Sequence, residues 1–304
     1  MEHIVTIAVV NFHPVWGDKE LNLSRICGYV RACARRGADI LVLPETALSG
    51  YSDDPNPVRE EKMHRLIAET IPGPATEAVC SLTKEYGVYV VFGMPERDGD
   101  KVYNSAAVCM PDGTAKSYRK IHLPGSEVTW AERGEDPLLV DSPWGPIGVG
   151  ICYDVFEYPE LARYYRAKGA RLLLNPCAVP TVVGTAHQNY SLRATVTSSQ
   201  LYIASANVFG PDAGLQFQGG SGILGPGNLE TVYAQYAGKA FGEDGANQGD
   251  TYIATVDLSY VQQTGISDMF EWSSRNGRPD WRPDLYKKWL EDVESDPDWQ
   301  AKYR

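Results

Sequence analysis

The alternation of short β-branched segments with amphipathic helices constrains the fold of this chain more than any other feature. Val-, Ile- and Leu-rich runs bounded by Gly, Pro or Asp predict strands, and stretches with helical periodicity lie between them. The predicted strands are residues 4–11, 40–43, 88–92, 105–110, 147–152, 172–175, 202–206, 221–224 and 252–256. The predicted helices are residues 18–36, 77–86, 159–168 and 183–200. This order predicts an α/β protein whose sheets are covered by helices.

The charge balance bears on the partners. The 304 residues include 28 Lys and Arg against 39 Asp and Glu, which gives a formal net charge of −11. A nucleic-acid-binding protein needs a basic surface that displaces counterions, so we expect no nucleic-acid partner. No apolar run approaches the roughly 18 residues of a membrane helix, and the first residues lack a signal-peptide pattern. We therefore expect a cytoplasmic protein with no membrane partner.

The composition predicts one main domain followed by an arm. No low-complexity linker divides residues 1–260, so we expect a single domain there. Residues 261–304 differ, because tryptophans stand there among charges and prolines. They are Trp272, Trp281, Trp289 and Trp299. We expect this segment to pack on the domain or on a partner subunit, and a frayed terminus is the alternative.

The cysteines are expected to be free thiols. The chain has six, none of them in a CxxC pair or at zinc-binding spacing with a histidine. The usual environment of such a residue is the core.

Two charged residues follow predicted strands. Glu45 comes directly after the strand at residues 40–43 and Pro44, and Lys120 follows a hairpin turn at residues 111–114. In α/β folds, sites collect beyond the carboxyl ends of strands. A surface or helix-capping glutamate and a solvated lysine are the alternatives.

Cys152 ends the predicted strand at residues 147–152, and a helix is predicted to begin at Pro159. A sharp strand-to-helix turn can present a nucleophile at the edge of a sheet. Helix N–H groups and a nearby cation would lower the pKa of such a thiol. A buried core cysteine is the alternative.

Three segments together resemble a known family. LPETALSGY at residues 43–51, YRKIHLPG at 118–125 and GICYD at 150–154 look like the signature segments of the nitrilase, or carbon–nitrogen hydrolase, superfamily. Residues 175–178, 205–210, 217–226 and 282–286 add to the likeness. The resemblance implies a four-layer α-β-β-α sandwich that assembles into homodimers or larger homo-oligomers. It implies no metal and no organic cofactor.

The resemblance also implies a set of site residues. The family's catalytic glutamate, lysine and cysteine fall on Glu45, Lys120 and Cys152. Its second glutamate falls on Glu127, with Glu132 as the alternative. The backbone N–H of Tyr153 would join Lys120 in binding the oxyanion. The remaining candidates for substrate contact, of which the aromatic ones could equally be core packing, are Tyr51, Trp130, Phe156, Asn175 and Ala178.

The function implied by the resemblance is cysteine-dependent hydrolysis of a small linear amide through a thioester. Tyr153 and Asp154 after the cysteine look like the amidase-type branch, whereas nitrilases more often have Trp-Glu there. Hydrolysis of N-carbamoyl amino acids or amines is the first alternative, followed by nitrile hydrolysis and a non-catalytic interaction protein of the same fold. A Cys–His hydrolase using His122 or His187 is a further alternative.

One departure from the family's pattern concerns the loop after the nucleophile. Pro159 lies seven residues after Cys152, where the family commonly has six. The loop therefore carries one extra residue near Phe156 and Glu157. Because this loop helps to shape the pocket, the resemblance does not carry the identity of the substrate.

Overall fold

The structure is a computed structural model that describes residues 2–227, 230–262 and 281–303, without the side chains of residues 187, 188, 261 and 262. Within these ranges the strands alternate with helices along the chain. The strands are β1 Ile4–Asn11, β2 Ile40–Val42, β3 Tyr89–Asp98, β4 Lys101–Cys109, β5 Ala115–Arg119, β6 Leu138–Val140, β7 Ile147–Val149, β8 Leu172–Cys177, β9 Tyr202–Asn207, β10 Phe209–Asp212, β11 Leu215–Gln218, β12 Gly222–Pro226, β13 Tyr233–Gly238 and β14 Asp250–Asp257.

The helices in the same ranges vary from one turn to more than four turns. They are α1 Lys19–Arg35, α2 Met63–Ile67, α3 Pro74–Tyr86, α4 Tyr153–Phe156, α5 Pro159–Ala167, α6 Thr185–Ser199, α7 Pro283–Ser295 and α8 Pro297–Tyr303. Short 3₁₀ segments are Arg59–Glu61, Gly125–Thr129, Thr181–Val183 and Leu258–Gln262. Local sequence explains several ends: Asp18 caps α1 by accepting a hydrogen bond from Leu21 N, and Pro74 and Pro159 open α3 and α5.

The strands form two six-stranded mixed sheets among the described residues. The first has the order β14-β1-β2-β3-β4-β5 and the second the order β13-β12-β9-β8-β7-β6, with β10 and β11 as a separate hairpin. In each sheet the three strands β1-β2-β3 or β7-β8-β9 are parallel, and antiparallel strands extend both sides. The two sheets therefore repeat one arrangement.

The sheets pack face to face, with helices on the outside. An apolar cluster that includes Val5, Val42, Leu174 and Ile203 joins the inner faces. A second cluster packs α1 and α3 against the outer face of the first sheet, while α5 and α6 pack on the second sheet. Burial of both faces explains the nearly continuous apolar strands. The predicted four-layer α-β-β-α sandwich is confirmed.

Sequence periodicity predicted the middle of most elements better than their ends. β1 has the predicted bounds, whereas β3 continues past the predicted end at residue 92 through Gly93 and Pro95. Pro95 is tolerated because β2 has ended by that point. On that side of β3, Glu69 N donates to Pro95 O at 3.3 Å, a contact that needs no proline N–H. Strands β5, β6, β10, β11 and β13 and helices α2, α4, α7 and α8 were not predicted from the periodicity.

Contacts divide the chain into two compact units, Met1–Thr264 and Gly265–Arg304. In the second unit, α7 carries Tyr286 and Trp289 with ring centroids 5.3 Å apart. The predicted arm begins at residue 261, and its Trp272 lies outside the described residues. Its packing, the assembly state and the cellular location stay predictions. No helix in the described part of the chain is both long and apolar enough to cross a membrane.

Candidate active site

Glu45 is held where the chain leaves β2 and crosses the neighbouring strand. Leu43 N donates to Val91 O at 2.8 Å and Gly93 N donates to Pro44 O at 2.9 Å, so the segment stays bonded to β3 beyond the end of β2. A Cβ atom on Gly93 would lie 2.1 Å from Thr46 N and 2.5 Å from the Glu45 Cα. Only a glycine permits this approach. Glu45 itself is fully buried.

Lys120 lies directly after β5 and brings two carboxylates together. Its Nζ donates to Glu45 Oε1 at 2.6 Å and to Glu127 Oε1 at 2.5 Å. The Lys120 ammonium and the Glu45 carboxylate are completely buried, and the Glu127 carboxylate is almost so. Since an ammonium carries three protons, one N–H of Lys120 has no acceptor among the described residues. A buried cation with a free donor is suited to stabilising negative charge on a reacting oxygen.

Asn104 and Tyr51 complete the hydrogen bonds to the two carboxylates. Asn104 Nδ2 donates to Glu45 Oε1 at 2.7 Å and to Glu127 Oε2 at 2.9 Å. The Tyr51 hydroxyl donates to Glu127 Oε1 at 2.7 Å. Glu127 is thus bonded through both oxygens. In contrast, Glu45 Oε2 is buried and has no partner among the described residues, so it is free to accept a proton.

Cys152 sits on a sharp turn between β7 and α4. Its backbone has φ 46° and ψ −105°, a conformation that L residues rarely adopt. Hydrogen bonds from Cys152 N to Pro176 O at 2.9 Å and to Asn175 Oδ1 at 3.0 Å hold the turn against β8. Strain of this kind persists only where surrounding contacts impose it. The next backbone N–H, that of Tyr153, has no acceptor among the described residues.

Burial and charge shift the pKa values of the cluster. Burial raises the pKa of Glu45 to about 7, although the Lys120 ammonium acts in the opposite direction. Burial would lower the pKa of Lys120, but the carboxylates of Glu127 and Glu45 outweigh it and hold that pKa well above its ordinary value. Lys120 therefore stays charged, while Glu45 changes protonation near neutral pH, as a general base should.

The predicted lowering of the nucleophile's pKa is wrong. The pKa of the Cys152 thiol is raised well above its ordinary value by the neighbouring Cys177 thiol, by burial and by the charge of Glu45. Lys120 acts in the opposite direction but is the smaller effect. The cation and the helix N–H groups gave a local signal for a lowered pKa, whereas the second thiol comes from another strand. A proton acceptor is therefore needed to form the thiolate.

Asp154 is a positioning residue that the sequence reasoning missed. Its carboxylate is fully buried and accepts hydrogen bonds from the Tyr118 hydroxyl at 2.7 Å and from His122 N at 2.8 Å. It joins the turn that carries Cys152 to the segment that carries Lys120. A carboxylate two residues after the nucleophile was the available signal.

The predicted pocket residues fall into two groups. Ala178 and Tyr51 belong to an apolar cluster with Val208 and Phe217, so Tyr51 connects that cluster to Glu127. Asn175 is bonded to the backbone of Cys152, as described above.

The other aromatic candidates pack elsewhere. Trp130 stacks on His64 at 4.3 Å, in a cluster with Val102 and Leu123, and Phe156 packs edge-on against Phe241 at 6.2 Å. Tyr153 lies edge-on to Tyr158 at 5.4 Å. These contacts fit the alternative that Trp130 and Phe156 are core-packing residues rather than substrate contacts.

The contacts also discriminate between the alternatives. Glu132 pairs with Arg59 at 2.6 Å on a partly exposed surface, so Glu127 is the second glutamate of the cluster. His122 Nδ1 bonds to Asp154 Oδ1 at 2.8 Å and its ring stacks on Tyr158 at 3.5 Å. The His122 ring therefore packs on Tyr158 and bonds to Asp154, which does not favour a role as the base of a Cys–His hydrolase. The side chain of His187 lies outside the described residues.

The family follows from comparison with known proteins. A carbon–nitrogen hydrolase family model matches residues 6–265. The chain belongs to the carbon–nitrogen hydrolase family. The predicted membership of the nitrilase superfamily, in its amidase-like branch, is confirmed. The free thiols expected from the sequence agree with the six unpaired cysteines of the described residues.

This chain is similar to several proteins that are named as amidases. An omega-amidase NIT2 of Xenopus tropicalis is 38% identical over 62% of this chain and 69% of its own length. The omega-amidase NIT2 of Danio rerio is 33% identical over 84% of this chain and 89% of its own length. The fold matches that of the NitN amidase from Nesterenkonia sp. AN1, with a TM-score of 0.71, 23% identity and coverage of 94% of this chain and 100% of that one.

Proposed function

We propose that this carbon–nitrogen hydrolase cleaves small linear amides to a carboxylate and ammonia or an amine, through a thioester on Cys152. One observation carries the proposal: Lys120 joins Glu45 and Glu127 in a buried cluster whose charges act on the Cys152 thiol. Glu45 Oε2 has no hydrogen-bond partner among the residues that the structure describes. The similarity to omega-amidases supports amides as the substrate class.

The first half of the reaction forms the thioester. Glu45 Oε2 accepts the thiol proton, and the Cys152 sulfur attacks the amide carbonyl carbon. The negative charge that develops on oxygen is stabilised by the free N–H of Lys120 and by the backbone N–H of Tyr153. Glu45 then returns the proton to the departing nitrogen, the C–N bond breaks, and ammonia or the amine leaves.

The second half uses the same groups with water as the nucleophile. Glu45 accepts a proton from water, the resulting hydroxide attacks the thioester carbonyl, and Lys120 and the Tyr153 N–H again bind the oxyanion. The C–S bond breaks and the sulfur regains its proton. Glu127 and Asn104 keep Lys120 and Glu45 in register through the bonds described above. Burial of the cluster strengthens each of these interactions.

The proposal is tested by trapping the acyl group and by a substrate panel. The enzyme is acid-quenched during turnover of slow linear amides and digested with trypsin, which releases residues 134–163 with Cys152 as their only cysteine. We expect the mass of one acyl group on this peptide, ammonia or amine release with the linear amides, and neither in Cys152→Ala.

Cys80→Ala is the matched control, because it removes another buried thiol and should retain adduct and turnover. Full turnover by Cys152→Ala contradicts the proposal. Release from N-carbamoyl compounds in place of linear amides supports the first alternative.

A further inference from the structure

We propose that Cys152 and Cys177 form a reversible disulfide when the enzyme meets a hydroperoxide, which makes this thiol pair a redox modification site. The proposal rests on Cys152 being the reactive thiol of the proposed function. No step of amide hydrolysis uses Cys177, yet it is fully buried at the end of β8 beside the nucleophile.

The backbone places the two cysteines side by side. Cys152 N donates to the carbonyl oxygen of Pro176, the residue before Cys177, at 2.9 Å. Neighbouring hydrogen-bonded segments of a sheet run roughly 4.8 Å apart, which lies within the Cα separation of about 4.4–6.8 Å at which disulfides form. The turn and the strand end are thus spaced for a cross-link.

The side chains of β8 converge on the same point. Asn175 and Cys177 lie two residues apart, so they face the same side of the strand. Both contact Ser205 Oγ, at 3.4 Å each, and Asn175 also accepts the hydrogen bond from Cys152 N. The parallel register of β7 and β8 sets Val149 opposite Leu174, and continuing it sets Cys152 opposite Cys177. The Cys177 side chain therefore lies on the same face of β8 from which Asn175 reaches the Cys152 turn.

Burial sets the order of the chemistry. Cys152 is 8% exposed and Cys177 is 0% exposed, so an oxidant reaches Cys152 first. With Glu45 taking its proton, the Cys152 sulfur attacks a peroxide oxygen, forming an S–O bond and breaking the O–O bond. The second oxygen leaves as water or an alcohol after taking up a proton. The product is a sulfenic acid on Cys152.

The second step closes the disulfide. The Cys177 sulfur attacks the Cys152 sulfur, the S–S bond forms, and the S–O bond breaks. The departing hydroxide takes the Cys177 proton and leaves as water. Two thiols and one hydroperoxide thus yield a disulfide, one water and one further water or alcohol. The nucleophile is masked, and a dithiol reductant restores it before irreversible oxidation to the sulfinic acid.

The test combines peptide mapping with recovery of activity. The full-length enzyme is treated with hydrogen peroxide, alkylated under denaturing conditions and digested with trypsin. Residues 134–163 and 172–193 each contain a single cysteine, Cys152 and Cys177 respectively. We expect these two peptides to be cross-linked in the wild type, and dithiothreitol to recover most of the activity it had before treatment.

Cys177→Ala and Cys177→Ser remove the partner thiol. Each is compared with its own untreated activity, so a changed starting rate does not matter. We expect at least a fivefold smaller recovery with dithiothreitol, together with a gain of two oxygens on the peptide of residues 134–163. Cys80→Ala is the matched control: it removes another buried thiol and should recover as the wild type does.

Three results overturn the proposal: direct conversion of Cys152 to the sulfinic acid with no cross-linked peptide, equal recovery in the wild type and both Cys177 variants, or no oxidation of Cys152 by the peroxide. The mapping does not measure amide hydrolysis. A cross-link in an enzyme that releases nothing from any amide would therefore refute the proposed function and leave this inference standing.

Discussion

Two buried carboxylate clusters lie on opposite faces of the strand pair β4–β5, and they differ in how completely their oxygens are bonded. Adjacent residues point to opposite faces of a strand, so Lys120 faces Glu45 and Glu127, while Arg119 faces Glu96. Glu96 accepts hydrogen bonds through both oxygens, from Arg119 at 2.6 Å and from Ser105 at 2.6 Å, and also from Ser117.

Incomplete hydrogen bonding distinguishes the cluster of the proposed active site better than burial or cavity size does. A surface cavity of about 750 Å³ borders Glu96 and Arg119, but both oxygens of Glu96 already accept hydrogen bonds. Within the described part of the chain, one oxygen of Glu45 and one N–H of Lys120 have no hydrogen-bond partner, and each lies beside a charged group. A buried group without a partner is unfavourable for stability, which is typical of sites where function requires it.

The largest expected effect comes from exchanging the carboxylates for amides. Glu45→Gln removes the base used in both halves of the reaction, so we expect kcat/KM to fall by about 10⁴-fold, at the upper end for general acid–base catalysis. Glu96→Gln should keep kcat/KM within about threefold while lowering stability by about 1–3 kcal/mol. Ammonia release and thermal unfolding measure the two quantities.

A larger loss of kcat/KM in Glu96→Gln than in Glu45→Gln would contradict this difference between the clusters. Equal losses of rate in two variants of equal stability would likewise remove the distinction between the clusters.

The second effect comes from the neighbouring cations, which form a matched pair one residue apart. Lys120→Met removes an oxyanion donor, and we expect kcat to fall by about 10³-fold. It also leaves two buried carboxylates without their cation, so stability should fall by about 3–5 kcal/mol. Arg119→Met should leave kcat within about threefold, because Ser105 and Ser117 still bond Glu96.

Rates are measured at a temperature where circular dichroism shows that both cation variants are folded. This separates the effect on rate from the effect on stability. A folded Lys120→Met protein with an undiminished rate would contradict the assigned role of the ammonium.

The third prediction concerns pH. Because the pKa of Glu45 is raised to about 7 and the deprotonated form accepts the thiol proton, kcat/KM should rise with pH through that region. One unit below the midpoint the rate should be about tenfold under its plateau. The Asn104 hydrogen bond lowers the pKa of Glu45. Asn104→Leu should therefore shift the rise of kcat/KM, the rising limb of the profile, to higher pH.

The profile is measured as kcat/KM from pH 5 to 9 with an uncharged amide. A limb that stays in place in Asn104→Leu would indicate that a group other than Glu45 controls it.

The same pKa shift predicts how stability changes with pH. The folded state binds the Glu45 proton more tightly than the unfolded chain, so this residue's contribution to stability decreases as pH rises from about 4.5 to about 7. Denaturant unfolding should therefore show that Glu45→Gln gains stability relative to the wild type over this interval. The opposite trend would contradict the raised pKa.

The smallest effect is expected from His122→Ala. This ring stacks on Tyr158 and bonds to Asp154, so its loss should cost about 0–1 kcal/mol of stability and change kcat/KM by about threefold or less. Steady-state assays decide. Loss of activity here, with activity retained in Lys120→Met, would favour a Cys–His hydrolase.

The sequence predicted those features whose signals are local. Hydrophobic periodicity located β1 and α1, and three motifs located Glu45, Lys120 and Cys152 as candidates. The spacing alone left Glu127 and Glu132 open, and only the folded chain places Glu127 on Lys120 and Glu132 on Arg59. The choice depended on which way Glu127 faces within the 3₁₀ segment Gly125–Thr129 and which way Glu132 faces after it.

Long-range contacts were beyond sequence reasoning. The raised pKa of the Cys152 thiol depends on Cys177, which comes from another strand, and the bonds of Asp154 depend on the end of β5. Tyr158, in the loop after Cys152, stacks on His122. These contacts join residues that are far apart in the sequence, so no periodicity in a single sequence reveals them.

Because glycine has no side chain, Gly93 is a position on which activity in this fold depends although it does not meet the substrate. A methyl group there would press on the backbone of Glu45 and Thr46, so replacement by alanine would displace the base while every group that meets substrate kept its identity. A copy that retained the glutamate, lysine and cysteine could still be inert. To decide whether a related sequence encodes an active enzyme, the residue at position 93 must therefore be checked together with the reacting residues.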